Sequence, residues 1–146
     1  MDDILIDVVK KTLSDHPSLI GTPATDQQIS DAESALNLKF NSQYTQFIKI
    51  FGGSWAGISI HAFNNAPLLG KETVTGMTLN FRRYNPFYHD DESLLKNCYV
   101  LSSDGGEGYY LMSTSGEIYI YYQNSGEIEL LYESLAQLIR NELLIK

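Results

Sequence analysis

The stretch from Ile29 to Trp55, ISDAESALNLKFNSQYTQFIKIFGGSW, decides how the chain is read. Just before it, Thr25 and Gln28 have the spacing of a capping box, in which the hydroxyl serves a free backbone N–H and the glutamine reaches back. Ile29, Ala32 and Leu36, with Ala35 beside them, then form one apolar stripe that ends at Asn37. Asn41 or Ser42 can cap the next helix, where Tyr44, Phe47, Ile48 and Phe51 fall at i, i+3, i+4 and i+7. Gly52-Gly53 stops that helix, and Ser54-Trp55 reads as the start of a presented loop. The stretch predicts two packed helices and a break. It offers no nucleophile, no metal-ligand set and no phosphate cradle.

Working outward, Asp2 to about Ser14 predicts a first helix, with Ile4, Leu5, Val8, Val9 and Leu13 near helical spacing, acids at its start and Lys10-Lys11 near its end. His16-Pro17 and Gly21-Thr22-Pro23 break it. Downstream, the alternation from Gly57 to Phe63 predicts a strand. Lys71 to Arg83 predicts a helix, although Thr73-Val74-Thr75-Gly76 is a poor helical run. His89-Asp90-Asp91-Glu92 reads as a polar loop or the first turn of a short helix. From Tyr99 the texture becomes β. Tyr99–Ser103, Tyr109–Ser113, Glu117–Tyr122 and Glu127–Leu131 are separated by Gly105-Gly106, Ser115-Gly116 and Asn124-Ser125-Gly126, residues that permit the positive φ of tight hairpins. Ser134 to Ile145 predicts a closing helix with Leu135, Leu138, Ile139 and Leu143 inward. Helices, a meander, then a helix argue for an α+β fold: one antiparallel β-meander sheet with helices packed mainly on one face. No linker divides the chain, so positions 1–146 read as a single domain.

Composition bounds the function. The 146 residues can bury roughly 70% of the surface their unfolded chain exposes, so the core needs no disulfide or metal. Hydrophobic residues at 43% and charged residues at 19% fit a compact fold rather than a disordered chain. The net charge of −8 repels nucleic-acid phosphates and anionic lipid and steers basic partners inward, which argues against direct nucleic-acid or membrane binding. Cys98 is the sole cysteine, which suits a reducing compartment. The acidic Met1-Asp2-Asp3 start is unlike a secretory signal, and no apolar run approaches membrane-spanning length. The expectation is a cytoplasmic protein of open oligomeric state.

Ile29, Ala32-Glu33, Leu36, Leu38, Tyr44, Phe47-Ile48 and Gly52-Gly53 resemble the amino-terminal signature of the SUKH superfamily, which includes the yeast cell-wall-synthesis regulators and many bacterial toxin-immunity proteins. Asp104-Gly105-Gly106-Glu107-Gly108-Tyr109-Tyr110, Ile118–Tyr122 and Ser134–Ile139 resemble its later half. One departure is Phe40-Asn41, where the family commonly has proline. The resemblance implies a non-enzymatic protein that binds and neutralises a partner, most often a toxin. It carries over no catalytic residues and no cofactor.

The residues themselves weigh the same way. His16, His61 and His89 have no histidine at i+2 to i+4, and Cys98 has no CxxC companion, so neither a metal site nor a thiol dyad is signalled. Asp104-Gly105-Gly106-Glu107-Gly108 lacks the Lys-Ser/Thr ending of a phosphate loop and enters a strand. The acids of the meander, Asp104, Glu107, Glu117, Glu127 and Glu129, interleave with Tyr109, Tyr119 and Tyr121. This combination suits a surface that meets a basic cleft, or else an ordinary sheet with one wet face. Trp55 is either a core plug or an exposed anchor. Three functions follow: an immunity protein occluding a cognate toxin domain such as a nuclease, a regulatory scaffold recruiting a cytoplasmic enzyme, or a small hydrolase using Cys98 or a histidine.

Overall fold

A computed structural model describes residues 1–88, 93–103, 106 and 108–144. Three helices come first: α1 (Asp3–Leu13), α2 (Asp26–Leu36) and α3 (Ser42–Phe51). A two-stranded ribbon, β1 (Ser54–Trp55) and β2 (Ser59–Ile60), leads to α4 (Val74–Tyr84). The meander β3 (Cys98–Ser103), β4 (Gly108–Ser113), β5 (Ile118–Tyr122) and β6 (Ile128–Tyr132) forms a four-stranded antiparallel sheet in chain order, and α5 (Leu135–Ile139) runs on into a π-helical turn, Arg140–Leu144. The fold is α+β, as the order of periodicities predicts.

Local chemistry sets the helix ends. The Thr25–Gln28 capping box closes in both directions, and Asn41 rather than Ser42 caps α3 by accepting from the Gln43 N–H at 3.0 Å. Thr73, which weakens the run as a helix interior, stands at the N-cap of α4 and accepts from the Gly76 N–H. At the far end of α2, Asn37 takes a left-handed conformation, and the Arg82 guanidinium of α4 donates to the Leu36 carbonyl at 2.6 Å. Ala35 lies exposed beside the buried stripe of Ile29, Ala32 and Leu36.

Successive side chains of the sheet point to opposite faces and feed two cores. Tyr99, Leu101, Met112 and Ile118 join residues of α1, α2, α3 and α5 on the first face. Cys98, Val100, Leu111 and Tyr121 join Met77 and Phe81 of α4 on the second. β3 is therefore buried on both sides, and its outer edge is covered too. The Val100 N–H donates to Thr78 Oγ1, and the Leu101 carbonyl accepts from the His61 N–H, each at 3.0 Å.

The helical layer is held to the sheet by an aromatic triangle. Phe40, Tyr44 and Tyr99 have ring centroids 4.8 to 5.1 Å apart, in edge-on and tilted contacts. The Tyr99 hydroxyl accepts from the Asn41 N–H at 3.1 Å, and the Tyr44 hydroxyl donates to the His61 carbonyl at 2.6 Å. Phe40 is thus a core residue, and Asn41 after it caps α3.

Gly52 ends α3 at φ +70°, and a Cβ there would lie 2.0 Å from the Thr22 carbonyl oxygen, so the two backbones can cross only at glycine. The strand expected over Gly57–Phe63 shortens to Ser59–Ile60, paired with a Ser54–Trp55 strand where a loop is expected. Asn65 is the reason. Its Oδ1 accepts from the Ala62 N–H and its Nδ2 donates to the Gly70 and Glu72 carbonyls, which turns the chain out of the extended path. Replacing Tyr99 with Phe keeps the ring but leaves the Asn41 N–H without its acceptor. We expect a loss of about 1–2 kcal/mol in urea unfolding with an unchanged m-value.

Candidate protein-interaction surface

The meander divides its acids between two ends. The turn at 114–117 lies at one end of the sheet, and the turn after β5 lies at the other. Strands of this length separate the two ends by roughly 17–20 Å. Glu127 follows the β5 turn and is exposed, its N–H bonded to Ser125 Oγ at 3.2 Å, and Glu129 is exposed on β6. Asp104 and Glu107 lie outside the described residues.

Glu117 is occupied within its own turn. Its carboxylate accepts from Ser113 Oγ and Ser115 Oγ, each at 2.8 Å, and from the Tyr119 hydroxyl at 3.4 Å. The Ser113 and Ser115 bonds hold the carboxyl below its ordinary range. Burial first, and the Glu117 charge second, raise the Tyr119 phenol.

The three tyrosines share the second face. Tyr109 and Tyr121 each set an edge against Phe81, with centroids 5.3 Å apart. Tyr109 and Tyr119 are half-buried, whereas Tyr121 is 1% exposed and donates to Asn85 Oδ1 at 3.0 Å. The structure corrects the expectation for Tyr121: its ring packs in the second core and is not offered at the surface. Trp55 is half-buried against the first core, so it stands apart from the meander's second face.

The candidates for acid–base chemistry are engaged separately. His61 is buried, with Nδ1 2.6 Å from the Glu72 carbonyl, and His16 is exposed at the start of a short 3₁₀ turn, Pro17–Leu19. His89 and the rest of His89-Asp90-Asp91-Glu92 lie outside the described residues. Cys98 is 3% exposed, directs its Sγ to the Leu94 carbonyl, and has its thiol pushed up to about 12, first by burial and then by Glu117. It is a packing thiol with little thiolate character at neutral pH. Among the described residues, no group of three His, Cys, Asp or Glu side chains could hold a metal ion, and no helix is long and apolar enough to cross a membrane.

One feature of the second face is not anticipated from sequence. A recess of about 270 Å³ opens beside β6, lined by Pro86, Phe87, Leu94, Leu95, Tyr121 and Ile128. Phe87 and Leu94 are exposed apolar side chains on either side of the polar run His89-Asp90-Asp91-Glu92.

The arrangement is a two-faced sheet that keeps acids and apolar side chains open on its β5–β6 half. The family profile SUKH_5, described as SMI1-KNR4 cell-wall, matches residues 3–144. The chain belongs to this SUKH family. No curated protein matches it. The profile spans the capped helices, the glycine stop and the whole meander of this SUKH chain.

The Glu117 network predicts a pH dependence of stability. Because the folded carboxyl titrates below its ordinary value of 4.5, its contribution is complete above that value and is lost as pH falls through the folded pKa. Glu117→Gln should lower Tm at neutral pH, and the gap to wild type should close on acidification, as read by thermal melts across pH.

Proposed function

We propose that this SUKH chain is an immunity protein: a non-enzymatic, cytoplasmic, bacterial protein that binds a cognate toxin domain stoichiometrically and occludes it. The toxin is of the kind with a basic cleft, such as a nuclease. The observation that carries this reading is the exposed stretch at β6, with Glu127 and Glu129 on one face of the strand and exposed Leu130 with half-buried Tyr119 on the other, on a chain of net charge −8 that matches a SUKH profile along nearly its whole length.

Mechanistically, the carboxylates stand where substrate phosphates would, so Coulomb attraction speeds encounter with a basic cleft. The tyrosine and leucine surfaces then exclude water around the charged contacts and slow dissociation. Tyr109, Glu127, Glu129 and Tyr119 are the residues we assign to this contact. Glu117 sets the geometry of the opposite turn, since its oxygens are already used by Ser113 and Ser115.

A second reading, a regulatory scaffold that recruits a cytoplasmic enzyme through the same surface, is favoured by the cell-wall description of the matching profile. The two separate on co-expression. With the product of the neighbouring gene, the immunity reading expects rescue of growth and a one-to-one complex. Glu127→Lys combined with Glu129→Lys should weaken that complex by about tenfold or more, chiefly through slower association at low salt. A complex without rescue of growth, or no complex at all, contradicts immunity.

A further inference from the structure

The two outer strands of the sheet end differently. β3 has its edge closed by Thr78 and by the His61 N–H. Among the described residues, β6 has no such cover. The Tyr122 N–H donates to the Glu127 carbonyl at 2.8 Å, and Tyr121–Ile128, Ile120–Glu129 and Tyr119–Leu130 continue that register. Alternation along an antiparallel pair then turns the backbone N–H and C=O of Ile128 and Leu130 away from β5. Among the described residues nothing pairs with these groups, and β6 is the terminal strand of the sheet. A free strand edge of this kind is a template for another strand.

What surrounds the edge selects the partner. Ile128 and Leu130 lie on the second face with Tyr119 and Tyr121, and Leu130 is 54% exposed. The apolar recess at Phe87, Leu94 and Ile128 continues that face past the end of the strand. Glu127, Glu129 and Glu133 are exposed along the same strand and its continuation. The one basic side chain of the following helical segment, Arg140, lies 3.9 Å from Asp2 on α1. A second copy paired edge to edge would set these carboxylates against each other, which like-charge cross-strand pairing disfavours.

We infer that β6 is a docking edge for an extended, basic segment of the partner protein, which adds as a fifth strand with lysine or arginine toward Glu127 and Glu129 and apolar side chains toward Leu130 and the recess. This deepens the immunity reading and rests on it for the identity of the partner. Main-chain hydrogen bonds give such a contact its affinity, and the alternating side chains give it specificity.

The test uses the intact protein, a peptide of about ten residues alternating lysine and valine, and the neighbouring gene's product, measured by calorimetry. Leu130→Pro removes the outward donor, on an edge strand that tolerates proline, whereas Leu130→Ala keeps the donor and removes only the side chain. We expect wild type to bind the peptide, Leu130→Ala to bind it a few-fold more weakly through the lost side-chain contact, and Leu130→Pro to bind it at least about tenfold more weakly than Leu130→Ala. A peptide N-methylated at alternate residues should fail against wild type, a result that needs no protein variant. Equal binding of the methylated peptide, or of Leu130→Pro and wild type, overturns the edge, as does the absence of any peptide binding. A complex with the neighbouring product that ignores Leu130→Pro overturns the edge while leaving immunity standing. Peptide capture without a neighbouring complex retains the edge and removes immunity. A concentration-dependent dimer abolished by Leu130→Pro would make the occupant a second copy and overturn the basic-segment proposal.

Discussion

The contact between Phe40, Tyr44 and Tyr99 is the constraint on which the rest of the molecule depends. It is where the helical layer meets the sheet, and it is both apolar and hydrogen-bonded: three rings with centroids within 5.1 Å, and two phenol oxygens that serve the Asn41 N–H and the His61 carbonyl. Ring packing alone is tolerant of rotation, but the two hydroxyl bonds fix which turn of α3 faces which residue of β3. Burial raises both phenols, so they stay protonated and keep these bonds across the physiological range. With β3 pinned on this face and packed against α4 on the other, the meander can extend only in the direction of β6.

That direction explains the asymmetry of the sheet. Helices α1, α2, α3 and α5 bury the first face, whereas α4 reaches the second face through Met77 and Phe81, beside β3 and β4. Tyr109 and Tyr121 close around Phe81, whereas Tyr119 and Ile128 are half-buried and Leu130 is exposed. The open half of the second face and the open backbone edge are therefore one surface, created by the same placement of α4. Among the described residues, the acids that flank it are Glu127 and Glu129, because Glu117 is held at the other end by two serines.

Much of the architecture was legible in the sequence because its signals are local. The capping box at Thr25, the apolar spacing of Tyr44, Phe47, Ile48 and Phe51, and the glycine-bearing turns at Gly116 and Gly126 each act within a few residues. The strand expected at Gly57–Phe63 holds β2, but its shortening and its pairing with β1 were not legible, because Asn65 and the backbone crossing at Gly52 set them through tertiary contacts. Nor was the fate of the tyrosines. Alternation puts Tyr109, Tyr119 and Tyr121 on one face, but only the position of α4 decides that Tyr121 is core and Tyr119 is not. The same long-range placement exposes Phe87 and Leu94, which no periodicity marks.

The docking edge we infer for this SUKH chain lies on β6 and the adjoining second face. Amide hydrogen exchange, compared between the free protein and its complex with the neighbouring gene's product, tests that most directly. We predict slowed exchange at Ile128 and Leu130, whose amides have no partner among the described residues, with α1 and α2 unchanged. Protection on α1 and α2 with the β6 amides still exchanging freely would contradict it.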